Sequence, residues 1–301
     1  SRQAISKALK FNPTAKVLVC GCASEKNPLA FAERKNVISV TGARSKGKIL
    51  EIAASGFSEE WRGVHVGAED TGYEELPAPE CLKTRSFVKI QDGCNQFCSY
   101  CIIPYARGRV RSRKMEDILQ EVRNLTANDY KEIVLTGIHI SSYCLDFEHT
   151  ADEQEDYGPF KNSALIDLIE ALSGIEGLKR IRLGSLEPRI ITENFVRRLC
   201  KVPQICPHFH LSLQSGCDET LKRMNRHYTT GLYLEKCGIL RQYFDRPALT
   251  TDVIVGFPGE TEEEFAQTER FLETVHFSDM HIFKYSKRRG TKAADMPNQI
   301  D

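Results

Sequence analysis

The sequence predicts an α/β protein whose main part is an open, six-unit β/α barrel, a (β/α)6 partial TIM barrel, preceded by part of a small α/β domain. From about residue 85 onward, short strand-like runs alternate with helical stretches, which is the pattern of repeated β-α units. Six such runs are present, too few for a closed eight-stranded barrel. The first 81 residues have a different pattern, which predicts the smaller domain.

Residues 1–81 predict, in order, a helix, two strands and a second helix, followed by a linker that contains glycine and proline. These elements are expected at residues 1–11, 17–20, 37–41 and 46–54. One side of the first helix carries Ile5, Ala8 and Leu9, with no upstream element to cover them, and the chain has no initiator Met. We therefore expect a truncated domain in a fragment of a longer protein.

The predicted barrel occupies residues 82–301. Its six strands are expected at residues 86–91, 132–136, 180–183, 208–213, 251–255 and 280–285. The helices between them carry apolar residues at helical spacing, and Thr261 with Glu264 makes a capping box before one helix. Residues 144–160 are acidic with little apolar content, which indicates a surface insertion after the second strand.

The composition excludes several classes of protein. The 41 basic and 41 acidic side chains cancel, so a nucleic-acid partner must be attracted by a local patch. No run approaches the roughly 18 apolar residues of a spanning helix, and the first residues lack the apolar stretch of a secretion signal. The sequence thus indicates a cytoplasmic protein without a membrane partner. Its 11 cysteines favour free thiols and metal ligands over disulfides.

Three cysteines follow the first predicted barrel strand. Cys94, Cys98 and Cys101 have the spacing C-x3-C-x2-C on the loop that leaves this strand. The carboxyl ends of barrel strands carry the chemistry, because the βα loops converge there. Four-iron clusters and structural zinc ordinarily use four ligands, so three thiolates would leave one iron open. S-adenosylmethionine (SAM) could bind this iron through its amino and carboxylate groups.

A zinc site is the alternative interpretation of these cysteines. It would need a distant fourth ligand, for which His139 and Cys144 are the candidates. Zinc ligands typically come as C-x2-C with a second pair downstream, so the observed spacing favours an iron–sulfur cluster. Under the alternative, the protein is an RNA-binding module that uses a metal only as structure.

The residues around the cysteines resemble a known family. DGCNQFCSYCIIPYARG, with Tyr100 before the last cysteine, resembles the radical SAM signature and, together with RVRSR, the methylthiotransferases. The resemblance extends to SLEP at 185–188, HLSLQSG at 210–216, LKRMNRHYT at 221–229 and DVIVGFPGET at 252–261, and so covers nearly the whole chain. KIQDGC and LTGIHISSY are most similar to the enzymes that act on N6-threonylcarbamoyladenosine in tRNA.

The resemblance implies a reaction for the intact enzyme. Reduction of a 4Fe-4S cluster on Cys94, Cys98 and Cys101 would cleave SAM to a radical, which takes hydrogen from carbon 2 of the modified adenine next to the anticodon. Sulfur from an auxiliary 4Fe-4S cluster and a methyl group from another SAM would complete the methylthio group. The implied partners are a tRNA anticodon loop and an electron donor such as flavodoxin or ferredoxin. Isopentenyl-adenosine in tRNA and a ribosomal protein remain alternative substrates, and the oligomeric state stays open.

The resemblance also places SAM across the barrel mouth. Besides Tyr100, the candidate contacts follow successive strands: Gly137, Glu187, Gln214 and Gly256. The glycines would let backbone approach the methionine part or the adenine, while the two polar residues would bind ribose or carboxylate. Each has a simpler explanation, because glycines make turns, a glutamate before proline can cap a helix, and a glutamine can satisfy a buried backbone group.

A basic row follows the cysteines. Its arginines stand at alternate positions: Arg107, Arg109, Arg111 and Arg113. In an extended segment they would all point to one side, which suits contacts with tRNA phosphates. The alternative is a solvated face balanced by carboxylates. Tyr105 and Tyr143 could stack on an unpaired base of the RNA loop, although surface tyrosines more often simply pack.

Two departures from the family concern its other parts. The family holds its auxiliary cluster with three cysteines of the N-terminal domain, and only the third corresponds here, at Cys22, with Cys20 as a nearby extra thiol. We therefore expect this chain to lack the auxiliary cluster. The family's C-terminal RNA-binding β-barrel module is also absent, since the sequence stops after the sixth strand. Weak tRNA binding is expected as a result.

Overall fold

A computed structural model describes residues 2–44, 46–56, 58–67, 73–75, 84–147, 158–160 and 163–300. The chain divides into two compact units. The N-terminal unit comprises Ser1–Ala78 with Ile103–Arg109, and the barrel unit comprises Pro79–Ile102 with Val110–Asp301. The predicted domain boundary between residues 81 and 82 lies outside the described residues, as does most of the predicted acidic insertion at 144–160.

The N-terminal unit contains a three-stranded parallel sheet with short helices. The helices are α1 (Arg2–Phe11), α2 (Cys22–Lys26), α3 (Leu29–Ala32), α4 (Lys48–Ala54) and α5 (Ile103–Ala106). The strands are β1 (Val17–Val19), β2 (Val37–Thr41) and β3 (Gly63–His65), in that order across the sheet. The two predicted strands and two predicted helices are present, and the remaining elements are additional to the prediction.

The apolar side of α1 is partly covered within its own unit. Ile5 is 7% exposed and joins Val19, Phe31 and Val40 in a small apolar core, against which Leu9 also packs. The expectation that this face lacks a covering element is therefore wrong for Ile5 and Leu9, whereas Ala8 is exposed. The sheet behind it supplies the missing apolar surface.

The barrel unit repeats strands and helices through its length. Its strands are β4 (Ser86–Asp92), β5 (Arg111–Ser112), β6 (Glu132–Gly137), β7 (Arg180–Leu183), β8 (His208–His210), β9 (Ala248–Val255) and β10 (Asp279–Lys284). Its helices are α6 (Met115–Ala127), α7 (Ala164–Ser173), α8 (Glu193–Leu199), α9 (Asp218–Arg223), α10 (Thr230–Tyr243) and α11 (Glu262–Val275). All six predicted barrel strands are present.

These strands form two sheets that do not close into a barrel. One sheet has the order β5-β4-β6-β7 and the other the order β10-β9-β8. Every pairing in the two sheets is parallel except that of the short β5 with β4. Single parallel bridges join the sheets, from Ile181 to Ile205 and from Leu186 to Leu211. The open (β/α)6 architecture predicted from the strand count is confirmed.

The fourth barrel strand is shorter than predicted. The prediction extends to residue 213, whereas β8 ends at His210. The carbonyl oxygens of Ser212 and Leu213 lie 2.6 and 2.7 Å from the hydroxyl of Tyr228. A side chain thus takes the acceptors that a longer strand ladder would use.

The helices pack as their sequence periodicity predicts. Ile118 and Val122 of α6 and Leu168 of α7 are fully buried in the main apolar core. The capping box of Thr261 and Glu264 is present at the start of α11. Within the described residues, no helix combines the length and hydrophobicity that a membrane crossing requires.

Candidate active site

The loop that carries the three predicted cysteine ligands begins at the carboxyl end of β4, where Gln91 fixes it. Gln91 is fully buried. Its side-chain amide donates to the carbonyl oxygens of Asp92 and Gly93, both at 2.7 Å. Its side-chain oxygen accepts the N–H groups of Ile138 and His139 at 3.1 and 2.9 Å. One side chain therefore ties the start of the cysteine loop to the loop after β6.

Gly137, predicted to approach SAM, ends β6 beside Gln91. A Cβ atom at this position would lie 2.9 Å from the carbonyl oxygen of Gln91 and 3.1 Å from Cγ2 of Ile140. A methyl group does not fit at such separations, so the packing itself requires glycine here. The approach of Gly137 to SAM stays a prediction.

The second half of the cysteine loop is held by the segment that follows α9. Ser99 donates its N–H to the carbonyl oxygen of Met224 at 2.9 Å and its hydroxyl to that of Arg223 at 2.8 Å. The side-chain amide of Asn225 donates to the carbonyl oxygen of Phe97 at 3.0 Å. Phe97 and Asn225 both have left-handed backbone, with φ of 50° and 57°, a conformation that asparagine adopts more readily than most residues.

The three cysteine side chains have different surroundings. Cys94 is 8% exposed, and burial raises the pKa of its thiol to about 11. The backbone N–H of Gln96 lies 3.4 Å from its sulfur. Cys98 and Cys101 are partly exposed, and the N–H of Cys101 donates to the carbonyl oxygen of Cys98 at 2.9 Å. Because metal ligation requires thiolates, iron must displace the proton of Cys94.

Arg226 places a positive charge beside Cys98. One terminal nitrogen of its guanidinium lies 3.2 Å from the Cys98 sulfur. The Nε–H group donates to the hydroxyl of Tyr228 at 2.9 Å, and the guanidinium carbon lies 4.8 Å from the centre of that ring. The second terminal nitrogen lies 3.4 Å from the carbonyl oxygen of Ser212. The cation is thus fixed at the carboxyl end of the fourth barrel strand.

The donor set fits a multi-iron cluster better than a single ion. Among the described residues, no group of three or more His, Cys, Asp or Glu side chains is placed to hold one metal ion. His139 and Cys144 do not join the three cysteines in such a group among these residues, and Cys144 lies in the main apolar core. Three thiols at C-x3-C-x2-C spacing on one loop suit an iron–sulfur cluster.

Glu187, a predicted SAM contact, follows β7 and is 3% exposed. Its N–H donates to the Ser141 hydroxyl at 3.0 Å, and Oε1 accepts from Arg189 at 2.7 Å. Arg189 also donates to the side-chain oxygen of Gln96 on the cysteine loop, at 3.3 Å. Burial raises the pKa of Glu187, although Arg189 opposes the shift. The Oε2 atom is buried and has no partner among the described residues, so it can accept a hydrogen bond from a ligand.

His139 supplies a second buried atom that lacks a partner in the described part of the chain, its Nε2. Burial, assisted by Arg226 and Arg189, lowers the pKa of His139 to about 3, so the ring is neutral at physiological pH. Buried polar atoms normally have hydrogen-bond partners. The unmatched atoms of His139 and Glu187 therefore fit a ligand with amino, carboxylate and hydroxyl groups, as SAM has.

The other predicted SAM contacts have partners within the protein. The backbone of Gln214, with φ of 74°, bridges to β9. Gly256, with φ of 70°, donates its N–H to the carboxylate of Glu260 at 2.6 Å. Tyr100 packs edge-on against Phe257, with ring centroids 6.4 Å apart. Contacts of these residues with SAM stay predictions.

The predicted row of arginines on one side of an extended segment is wrong. In the barrel unit, Arg111 begins β5 and is 7% exposed. Arg113 forms an ion pair with Glu121 of α6, and its carbonyl oxygen accepts the hydroxyl of Tyr143 at 2.9 Å. Tyr143 is fully buried, so it packs in the core and does not stack on a base.

The other two arginines belong to the N-terminal unit, where helix α5 and Gly108, with φ of 80°, replace extended backbone. Arg107 donates its Nε–H to the sulfur of Cys22 at 3.2 Å. Cys22 is partly exposed at the start of α2. Arg109 is exposed, and Tyr105 on α5 is 43% exposed. Contacts of either arginine with tRNA stay predictions.

Sequence reasoning gave no role to Gln91, Asn225 or Arg226, and it considered His139 only as a zinc ligand. Gln91 ends a predicted strand shortly before the cysteines, which is a usable signal. Asn225 and Arg226 lie within LKRMNRHYT, a stretch already noted for its resemblance. Each contacts a loop residue 128 positions away along the chain, so spacing alone does not reveal the contact.

Comparisons with known proteins agree with this site. A profile of the radical SAM superfamily matches residues 88–272, more than half of the chain. The structure of the radical SAM methyltransferase TsrM from Kitasatospora setae, with tryptophan and a SAM analogue bound, has a TM-score of 0.67. It covers 94% of this chain and 57% of its own at 14% identity, a likeness that shows the fold alone. The chain contains a radical SAM core, a class that implies a 4Fe-4S cluster and SAM.

Sequence relatives narrow the class. The threonylcarbamoyladenosine tRNA methylthiotransferase MtaB of Bacillus subtilis is 39% identical over 100% of this chain and 65% of its own length. MtaB of Aquifex aeolicus is 38% identical over 100% and 70%. The tRNA-2-methylthio-N(6)-dimethylallyladenosine synthase of Alkaliphilus oremlandii is 38% identical over 98% and 61%. The chain belongs to the methylthiotransferase family of radical SAM proteins, and it spans about two thirds of the length of these relatives.

Proposed function

We propose that this chain is the central part of a tRNA methylthiotransferase that adds a methylthio group to carbon 2 of N6-threonylcarbamoyladenosine, next to the anticodon. The observation that carries the proposal is the cysteine loop, which places three thiols at C-x3-C-x2-C spacing directly after the carboxyl end of β4. The names of the Bacillus and Aquifex relatives support the choice of substrate.

The cofactors supply chemistry that side chains lack. When bound, a 4Fe-4S cluster provides one electron to SAM, which serves both as the radical source and as the methyl donor. Cys94, Cys98 and Cys101 would supply the thiolate ligands of this cluster. Gln91 and Asn225 hold the two halves of their loop, so the thiols are positioned before any cofactor arrives.

The buried atoms without partners would orient SAM. Oε2 of Glu187 accepts from an amino group or a ribose hydroxyl. If the Ser142 hydroxyl donates its proton to Nδ1 of His139, both the hydroxyl and Nδ1 have a hydrogen-bond partner. The proton of the neutral ring is then on Nε2. That N–H then donates to a carboxylate or hydroxyl oxygen of the cofactor. A neutral His139 therefore acts as a fixed donor and does not need to change protonation during the reaction.

The remaining partners are part of the same proposal. In the full-length protein, Cys22 would be one ligand of the auxiliary cluster that provides sulfur. Arg109 and Tyr105 are exposed in the N-terminal unit and are candidates for contacts with the tRNA anticodon loop. A flavodoxin or ferredoxin would supply the electron, and the reaction would take place in the cytoplasm.

A second candidate substrate is isopentenyl-adenosine in tRNA. The relative from Alkaliphilus oremlandii is nearly as similar as the two MtaB proteins, and its name specifies dimethylallyladenosine. The two substrates differ in the group on N6, which is anionic and polar in one case and apolar in the other. A direct comparison of both substrates therefore decides between the candidates.

The decisive experiment uses the full-length protein, reconstituted without oxygen with iron and sulfide. It is incubated with SAM, a low-potential reductant and tRNA that carries either modified adenosine, and the nucleosides are analysed by mass spectrometry. The proposal expects a methylthio product only from threonylcarbamoyladenosine, and none from the Cys98→Ala variant. Product only from isopentenyl-adenosine would establish the second candidate. A protein that holds zinc and does not cleave SAM would contradict both.

A further inference from the structure

Arg226 is a partly buried cation, and no carboxylate oxygen in the described part of the chain lies within ion-pair distance of it. Its guanidinium contacts the sulfur of Cys98, the hydroxyl and ring of Tyr228 and the carbonyl oxygen of Ser212. No described Asp or Glu oxygen lies within salt-bridge distance of it, and Glu187 is engaged by Arg189 instead. An arginine side chain is charged at any physiological pH. A partly buried charge of this kind is stabilised by negative charge nearby.

The position of the guanidinium is fixed by a ring contact and by hydrogen bonds. The Tyr228 ring lies against one face, and its hydroxyl accepts from Nε at 2.9 Å. That hydroxyl also lies 2.6 Å from the carbonyl oxygen of Ser212, which follows the fourth barrel strand. The terminal nitrogen is thereby aimed at Cys98, 3.2 Å away. Cys94 differs, because its sulfur accepts from the backbone N–H of Gln96, which carries no net charge.

An iron–sulfur cluster with three thiolate ligands would bring negative charge close to this guanidinium. The cluster becomes more negative by one unit when it takes up one electron. A fixed cation and an N–H···S hydrogen bond at a ligating sulfur stabilise that extra charge, so they raise the reduction potential. The alternative explanation is purely structural. In that case Arg226 only packs its own segment against Tyr228 and has no effect on the cluster.

We propose that Arg226 is a positioning residue that raises the reduction potential of the cluster on Cys94, Cys98 and Cys101 through its contact with the Cys98 sulfur. This inference rests on the proposed function, because it needs a cluster on the loop. One electron from a low-potential iron–sulfur or flavin protein enters the cluster, and Arg226 makes this transfer more favourable. The guanidinium itself gains and loses no proton or electron.

The test measures the midpoint potential by redox titration of the full-length protein, followed by electron paramagnetic resonance of the reduced radical SAM cluster. The first variant is Arg226→Gln, which removes both the positive charge and the guanidinium group. The second is Arg226→Lys, which keeps the positive charge but not the planar set of N–H donors. Tyr228→Phe keeps the guanidinium but removes the hydroxyl that orients it. Arg198→Gln is the control, because Arg198 pairs with Asp167 and Glu170 on the helical side of the unit.

We expect the ratio of reduced to oxidised cluster at a fixed potential to fall about tenfold in Arg226→Gln, which corresponds to about 59 mV for one electron. Arg226→Lys and Tyr228→Phe should show a fall of about threefold, and the control none. Unchanged potentials in variants that hold a full cluster would overturn the proposal. So would loss of the cluster from all three variants, because Arg226 would then be needed for assembly. If only Arg226→Gln loses its cluster, the potentials of Arg226→Lys and Tyr228→Phe decide: a fall supports the proposal, and unchanged potentials overturn it. Failure of the wild-type protein to bind a cluster would instead contradict the proposed function.

Discussion

Two cysteine sites in this chain share one contact and differ in everything around it. In the barrel unit, Arg226 lies 3.2 Å from the Cys98 sulfur, and in the N-terminal unit Arg107 lies 3.2 Å from the Cys22 sulfur. Cys98 shares its loop with two further cysteines, whereas Cys22 begins a five-residue helix and its neighbouring thiol, Cys20, is exposed. An arginine beside a cysteine therefore does not by itself define a metal site.

The difference lies in how each site is supported. The loop around Cys98 is held by Gln91, Ser99 and Asn225, which donate to backbone carbonyls on three sides. The start of α2 has no side-chain cap hydrogen bond, and a Cβ on the preceding Gly21 would meet nothing within 4 Å. The barrel unit thus presents a preformed site, and the N-terminal unit presents Cys22 at a helix start without a side-chain cap.

The largest expected effect separates the two sites by activity. In the full-length protein, Cys98→Ala should abolish reductive cleavage of SAM, because the cluster loses one of three ligands. Cys22→Ala should leave that cleavage intact and stop only the addition of sulfur to tRNA. The readouts are 5′-deoxyadenosine and methylthio nucleoside, both by mass spectrometry. Equal loss of 5′-deoxyadenosine in both variants would end the distinction between the sites.

A second expected effect concerns the packing below the cysteine loop. Gly137→Ala forces a Cβ to 2.9 Å from a backbone oxygen of Gln91, so unfolding of the barrel unit should become easier by about 1–3 kcal/mol. Gly238→Ala, inside α10, is the control, because a Cβ there meets nothing within 4 Å. Alanine at a helix interior should stabilise by about 0.5–1 kcal/mol. Denaturant titration of the metal-free chain measures both free energies of unfolding. Equal stability of the two variants would show that the backbone of Gln91 moves to make room for the added Cβ.

A third, smaller effect is a dependence of stability on pH. The folded pKa of His139 is about 3, below its ordinary value of 6.5, so the unfolded chain binds the proton more tightly. The associated stability is complete above about pH 6.5 and is lost as the pH falls towards 3, by about 1.4 kcal/mol per pH unit. His139→Gln should remove this slope between pH 6.5 and 5. Melting temperatures are measured for both proteins across that pH range. The same dependence on pH in both would contradict a buried, neutral His139.

The smallest expected effect belongs to the N-terminal site. Arg107→Gln removes a hydrogen bond to a partly exposed thiol, so the unfolding of this unit should change by about 0.5 kcal/mol. Arg62→Gln is a matched control, because Arg62 pairs with an exposed Glu59. Thermal melting of the metal-free chain measures both. A loss of several kcal/mol in Arg107→Gln would show that this contact supports the fold of the N-terminal unit, against the weak support expected here.

The sequence predicted features that depend on local pattern. Alternating strands and helices predicted six barrel strands, and the spacing of Cys94, Cys98 and Cys101 predicted a shared loop after the first of them. Features that depend on contacts across the chain were missed or wrong. The fourth strand ends at His210, and the hydroxyl of Tyr228, 15 or 16 residues further along the chain, binds the carbonyl oxygens of Ser212 and Leu213. The arginine row assumed extended backbone, but Arg107 lies in a turn after α5 and Gly108 has a φ of 80°.

The hydrogen bonds that surround the cysteine loop have a consequence for how the protein acquires its metal. Because Gln91, Ser99 and Asn225 fix the loop through protein groups alone, its chain entropy is lost during folding and not at iron insertion. Insertion can then follow folding as a separate, late event. Metal-free material of this chain should consequently accept iron and sulfide under native conditions, without a cycle of denaturant and refolding.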